Sequence, residues 1–540
     1  MLAKNPSRLE GLIDAVIESA PACIQERVLL QSIDWNQVEA AKVDGMLQRL
    51  DAEGVRLPAW LARSLLIAGH SLPATQLLDA PLHALSNLNK LVRDGRSAET
   101  GVEAWAEDLA TREQLEPDVV AAGVRQLTAL GQGALAARLG LAHWHRAPKV
   151  LRFVQNEVAG LLEGLPEVRL RVTGFSTTHS LAEDLSTAFG AAGFRAVVTE
   201  AEYGQVLAEL VQPSEARRDA LVVLLDLDGL HAPDWRLDAQ RNFDLLAQKI
   251  DLLTGGLESY AGKVRGPLLV NTLPMAVAPT AGLIDNHHPA GVTRCLDLVN
   301  QRLTEVARRN SQLILIDSAR ALAGLEPRKW VDPKLWYYGR LPYSADATRG
   351  LAAAFASAYH ALKKGPAKVL ALDMDNTLWG GVFGEDGVAK LVCDDEFPGN
   401  AFKAFQRECL RLKSQGMLLA VLSKNNPDAI TTFKMHPGML LKEEDFVATR
   451  INWEPKPHNI RGIAEELNLG LDSFVFLDDS PHERDAMRRM CPELTVPELP
   501  DDPAARPQWL RALGATWPIR LTEEDARRSD MYIAERRRTA

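Results

Sequence analysis

Apolar and polar positions along the chain follow different rhythms in successive segments. Up to about Arg146, apolar residues recur three and four apart, as in AWLARSLLIAGH and ALAARLGLAHWH, within a background rich in Leu, Ala, Arg, Glu and Gln. That is the period of amphipathic helices. Pro58, Pro73, Pro81 and Pro117 cut the pattern into short helices and no fixed-period repeat appears. Residues 1–149 therefore read as a helical region suited to packing or partner docking. A second rhythm follows, in which short β-branched or apolar runs at 168–173, 194–199, 220–225, 267–271 and 312–316 alternate with helix-patterned stretches. Alternation of this kind predicts a parallel sheet with helices on both faces, here over 150–362, with the aromatic, proline-broken WVDPKLWYYGRLPY (330–343) as a packed connector. After Gly365-Pro366 a second α/β unit is expected over 366–500, with strands at 369–372, 417–422, 446–448 and 473–477. Residues 501–540 begin proline-rich and close on LTEEDARRSDMYIAERRRTA, a charged helix pattern without a capping signal, as if the chain were cut inside that helix.

Length changes this picture little: 540 residues correspond to three or four domains at about 150 residues each. Charge excludes more. Lys and Arg number 61 against 71 Asp and Glu, a net charge of −10, which argues against a nucleic-acid partner held by bulk positive charge. Hydrophobic residues at 46% exclude a largely disordered chain. The five cysteines (Cys23, Cys295, Cys393, Cys409, Cys491) are far apart and form no Cys-x-x-Cys pair, so neither a disulfide framework nor a zinc ribbon is expected. MLAKNPSRLEGLIDAVIESA has no continuous apolar core of a signal peptide, and no run approaches the ~18 apolar residues of a membrane span. A soluble cytoplasmic protein without a membrane partner is the expectation.

The chemistry lies in KVLALDMDNTLWGG, where an apolar strand runs into Asp373, with Asp375 two residues on. Carboxyl ends of parallel strands form the ligand crevice of such sheets, so both carboxylates are expected to project into it. An EF-hand loop fails, because Thr377 and Leu378 stand where Asp or Asn and then Gly are required. A response-regulator pocket would put its acids on different strands, a glycosyltransferase Asp-x-Asp would not need the further residues below, and an isolated pair more often merely caps a turn. The rest of the set shifts the balance. Ser423 closes the next apolar run and is followed by Lys424 and Asn425; Lys456 precedes a helix in NWEPKP; Asp478 and Asp479 end the strand before SPHER. Acid pair, hydroxyl, lysine and acid pair arrive in order, and coincidence in all these contexts is improbable.

This arrangement resembles the haloacid dehalogenase (HAD) superfamily over 368–500. The resemblance implies a HAD-like Rossmannoid sheet in which Asp373 is the nucleophile, Asp375 the acid and base, and Ser423, Lys424, Asn425 and Lys456 the phosphate-binding residues. Asp373, Asp375, Asp478 and Asp479 then make a Mg²⁺ site. Carboxylates suit covalent phosphate chemistry and proton transfer, hard oxygens suit Mg²⁺, and a lysine offsets the crowded negative charge. Only 45 residues separate Thr377 from Ser423 and 32 separate Ser423 from Lys456, so no large cap domain is expected and the site should be open. GGVFGEDG after Trp379 would form a flap at its mouth. DMDNTLWGGVFGEDG, AFKAFQRECLRLKSQGMLLAVLSKNNPDA, NWEPKPHNI and FLDDSPHERDAM together resemble the FkbH-like branch. Members remove phosphate from a small phosphorylated acid, and those of polyketide pathways transfer a glyceryl unit from 1,3-bisphosphoglycerate to an acyl-carrier protein through a cysteine. Carrier-loading members often hold that cysteine on the strand before the motif, where this chain has Val369–Leu372; Cys393 is the thiol nearest the mouth and the candidate acyl nucleophile. A pathway scaffold that only binds a phosphorylated ligand is the alternative, although it has no need of Asp375. The preceding 150–362 domain resembles a flavodoxin/SGNH-hydrolase-like fold, with Ser176 after its first strand and Asn271 at another strand end. The usual late Asp-x-x-His is replaced by Asp332-Pro333-Lys334-Leu335, so a non-catalytic domain is expected, and the paired His287 and His288 read as surface residues.

Overall fold

The computed structural model describes residues 34–518 apart from 53–55, 58, 74–79, 96–100, 112–114, 214–216, 233, 235, 275–277 and 290. The expected N-terminal stretch 1–20, the charged helix from Leu521 and Cys23 lie outside the described residues, as does Pro58. The chain divides into two compact units, Met1–Ala358 and Tyr359–Ala540.

The first unit joins the helical region and the first α/β region, which the sequence pattern separates at 149/150. Its helices, among them Ala59–Ile67, Ala80–Arg93, Val102–Thr111, Pro117–Ala129 and Gly133–Ala142, bury a leucine-rich core that includes Leu65, Leu85, Leu88, Leu109, Leu127 and Leu139. Each such side chain taken from water contributes about 1.5–3 kcal/mol before chain entropy is subtracted. The sheet follows: β1 (Glu167–Gly174), β2 (Arg195–Glu200), β3 (Ala220–Leu224), β4 (Leu268–Asn271) and β5 (Leu313–Ile316), in the order β2-β1-β3-β4-β5 with every pair parallel. This is the flavodoxin-type doubly wound order.

The second unit carries four parallel strands: β6 (Val369–Leu372), β7 (Leu418–Ser423), β8 (Phe446–Ile451) and β9 (Phe474–Leu477), in the order β8-β7-β6-β9. Alternation along these strands feeds two cores. Leu370, Leu372, Leu419, Val421, Val475 and Leu477 pack on one face, while Val369, Ala371, Leu418, Ala420, Leu422, Phe474 and Phe476 pack on the other. A sheet covered on both faces requires continuously apolar strands, and β6, β7 and β9 are buried throughout. The helix Gly399–Ser414 links β6 to β7 and Lys456–Leu467 links β8 to β9. Between β6 and β7 the described residues form only short helices (Phe383–Asp386, Val388–Lys390) before Gly399–Ser414, so no cap domain is inserted there. Among the described residues no helix is long and apolar enough to cross a membrane.

Candidate functional site

All four strands of the second sheet end on the same side, and their last residues or the turns that follow carry the chemistry. Asp373 leaves β6 with its N–H still bonded to Leu477 O of β9 at 3.0 Å. The chain then turns sharply. Asn376 adopts φ 52, a left-handed conformation that Asn tolerates through local hydrogen bonds, and its Oδ1 accepts Gly381 N–H at 3.0 Å. Gly381 itself has φ +100, and at Gly380 a side chain would press on Phe402 and Val392 at 3.1 and 3.2 Å. The two glycines therefore let the flap fold back, with Gly380 and Val392 exchanging backbone bonds.

Lys456, the first residue of its helix and 3% exposed, reaches under the acid cluster. Its ammonium lies 2.9 Å from Asp373 Oδ1 and 2.5 Å from Asp478 Oδ2. Burial works against its charge, but the two carboxylates more than offset that and hold its pKa above the ordinary lysine value. Asp478 is pushed up to about 6 by burial and then by the charge of Asp373. Asp479 is raised by the same two causes. Carboxylate oxygens of Asp373, Asp478 and Asp479 all lie within 4.8 Å of one another.

Asp375, expected among the metal carboxylates, is not part of that group. Its Oδ1 accepts Trp379 Nε1–H and Phe383 N–H, each at 3.0 Å, and its Oδ2 accepts Asn425 Nδ2–H at 2.7 Å. Burial raises its pKa, the Phe383 and Trp379 donors pull the other way, and the charges of Asp373 and Asp479 add to the rise. Asn425, expected on phosphate, thus spends its amide on Asp375. Lys424, also expected on phosphate, is paired with Glu483 at 2.6 Å, because the chain leaves the pleat after β7 and its side chain turns to the neighbouring helix. Ser423 is the buried last residue of β7.

Cys393 requires a larger correction. It is 0% exposed within the apolar core, its Sγ against Gln406 and the Gly438 carbonyl, and burial pushes its thiol up to about 11. Such a thiol is scarcely ionised near neutral pH and is not presented to a substrate.

Three supporting residues escape sequence reasoning. Thr377 is buried, accepts Asp479 N–H at 3.2 Å and donates to Asp479 Oδ1 at 3.4 Å, tying the β6 turn to the β9 turn. Arg484, within SPHER, donates to the Asp478 and Asp479 carbonyls at 2.7 and 2.8 Å and pairs with Glu498 at 2.6 Å. Arg506 donates to Asn376 O at 2.5 Å. Only the acid-rich local pattern hinted at the second, since an arginine three residues into a helix reads as surface.

In the first unit, Ser176 lies beyond β1 and is buried. Asp226, whose pKa burial raises, accepts Gly229 N–H at 2.6 Å and has Ser176 beside it. Asn271 is spent on Leu225, accepting its N–H at 2.7 Å and donating to its carbonyl at 3.0 Å. His287 is exposed. The loop that carries the histidines is organised by Asp285, which accepts from Thr280, Ala281, Val292 and Thr293.

No protein-family model and no curated protein matches the sequence. Among solved structures, the chain is similar to the N-terminal part of the protein BF1531 from Bacteroides fragilis, containing a phosphatase domain and crystallised in complex with Mg. The TM-score is 0.58 at 27% identity, over 66% of this chain and 96% of that one. The fold is mixed α/β, with a HAD-like Rossmannoid sheet in the second unit.

Proposed function

We propose that the second unit is a Mg²⁺-dependent phosphatase of HAD type, acting through an aspartyl-phosphate on Asp373. The observation that carries this reading is the buried Lys456 bridging Asp373 and Asp478, with a second acid, Asp375, held apart from them by its own donors. One carboxylate thereby lies beside a cation, while burial raises the pKa of the other, the division of labour that a nucleophile and a proton donor need. The relative from B. fragilis, with its phosphatase domain and Mg, supports the same reading.

The donor set fits magnesium. Three hard oxygen ligands lie within 4.8 Å, and burial, then the charge of Asp373, raises Asp478 and Asp479, a crowding of negative charge that a divalent cation relieves. Asp373, Asp478 and Asp479 would hold it, and when bound it supplies positive charge against the phosphoryl oxygens. An Asp373 oxygen attacks phosphorus; Asp375 gives its proton to the leaving oxygen, then takes one from the water that cleaves the aspartyl-phosphate. Lys456 and Ser423 hold the phosphoryl oxygens meanwhile.

The finer reading is an FkbH-like enzyme working on a small phosphorylated acid, with an SGNH-like first unit that does no ester hydrolysis. The spent amide of Asn271 favours that inactivity, since an oxyanion donor must be free. Glyceryl transfer to an acyl-carrier protein needs a thiolate, and Cys393, Cys409 and Cys491 are buried with raised thiols. Hydrolysis is therefore the reaction put forward. Phosphate release from a panel of phosphorylated three-carbon acids tests it: activity should vanish on chelation, return with Mg²⁺, and fall to near background in Asp373→Asn with the fold kept. Release that persists in excess EDTA or in Asp373→Asn would sink the assignment.

A further inference from the structure

Asp375 is held at both oxygens, and the two are not equivalent. Oδ1 takes two N–H donors, from Trp379 and the Phe383 backbone, and has no lone pair to spare for a proton. Oδ2 takes one, from Asn425 Nδ2 at 2.7 Å. The orientation of the Asn425 amide is settled by its other end, where Oδ1 accepts Asn426 N–H at 2.9 Å, so the nitrogen must be the atom that faces Asp375. Asn426 is fixed in turn, its Oδ1 accepting Trp453 Nε1–H at 3.1 Å. Trp453 follows β8 and is 69% exposed. Hydrogen bonds therefore run from the rim of the site to the acid: Trp453, Asn426, Asn425, Asp375.

Resting on the phosphatase reading, we infer that Oδ2 is the proton-carrying atom of Asp375 and that Asn425 is the positioning residue that aims it, with Trp453 pinning the turn after β7 to the turn after β8. While the bond from phosphorus to the leaving oxygen breaks and the bond to the Asp373 oxygen forms, the proton passes from Asp375 Oδ2 to the leaving oxygen. Asn425 keeps its hydrogen bond to Oδ2 before and after, so it fixes direction and takes no part in the transfer. Neither Asn425 nor Trp453 needs to touch the phosphoryl group.

A positioned acid matters in proportion to the basicity of the leaving group, whereas general damage to the site does not discriminate. Phenyl phosphate and p-nitrophenyl phosphate are close in shape and differ in that basicity, and kcat/KM reports the steps up to phosphoryl transfer, free of the later hydrolysis. Asn425→Ala should lower kcat/KM for phenyl phosphate about tenfold more than for p-nitrophenyl phosphate, a part of the 10²–10⁴ that general acid catalysis contributes. Trp453→Phe keeps an exposed ring and removes only the N–H; it should show the same bias, smaller, and because the residue is exposed it serves if Asn425→Ala does not fold. Equal losses on both substrates in these variants, with turnover still dependent on Asp373, would overturn this inference alone. Phosphate release that survives Asp373→Asn would overturn it together with the phosphatase reading.

Discussion

Asp373 and Asp375 stand two residues apart at one strand end, yet their surroundings differ. Asp373 faces an ammonium, Asp375 faces three neutral donors, and that difference is made by Lys456 after β8, Asn425 after β7, and Trp379 and Phe383 in the segment after β6, rather than by the Asp-x-Asp itself. The strand-end acids were legible in sequence because each follows a short, wholly apolar run. Which of Ser423, Lys424 and Asn425 faces the site was not, since alternation ceases where the strand stops; only the structure distinguishes Asn425 on Asp375 from Lys424 on Glu483. Lys456 is where one substitution should cost most. Lys456→Met leaves Asp373 and Asp478 buried without their counter-charge, and breaking such a pair typically costs about 3–5 kcal/mol. Urea denaturation in the absence of divalent cations should show that loss, and turnover measured separately with Mg²⁺ should fall as well. A variant as stable as the parent would mean the pair contributes little to the fold.

Among the described residues, the nine strands lie within a few residues of their expected places because each is a brief β-branched or apolar run bounded by polar turns. Loop chemistry was harder to read. The pair His287 and His288 drew attention in sequence, but the residue that organises their loop is Asp285. Its carboxylate gathers the Thr293 hydroxyl and N–H along with the N–H groups of Thr280, Ala281 and Val292, at the start of the helix Val292–Arg309. Hydrogen bonds from Thr293 come first among the causes that hold its pKa well below the usual carboxylate range. A depressed carboxylate stabilises the fold above its unfolded pKa, near 4, and that contribution fades as pH falls through the lower folded value. Asp285→Asn should therefore lower the urea midpoint at pH 7, with the gap to wild type narrowing toward pH 3. A gap that stays constant with pH would show the charge to be irrelevant.

For the molecule as a whole, the pattern of residues marked four segments, while the chain forms two compact units. Periodicity identifies elements; it does not say which of them share a unit, and the leucine-rich helices share one with the first sheet. That first unit has the flavodoxin-type strand order, but its buried Ser176 faces Asp226 and its Asn271 is already bonded. Ser176→Ala should leave phosphate release at the wild-type rate, and wild type should hydrolyse p-nitrophenyl acetate no faster than the variant. A Ser176-dependent burst of p-nitrophenol would show a working acyl-enzyme and reverse the reading of this unit.

The second unit folds its described cysteine thiols inward: Cys393, Cys409 and Cys491 are each 0% exposed, and burial raises all three thiols. The acids, lysine and amides at the strand ends contain nothing that a mild oxidant attacks. The unit's turnover should therefore not depend on thiol oxidation. Iodoacetamide should leave these three cysteines unmodified in the native protein and alkylate them only after denaturation, and hydrogen peroxide at doses that silence thiolate enzymes should leave phosphate turnover unchanged. Rapid native labelling at Cys393 with loss of turnover would mean that this core opens far more readily than its packing implies.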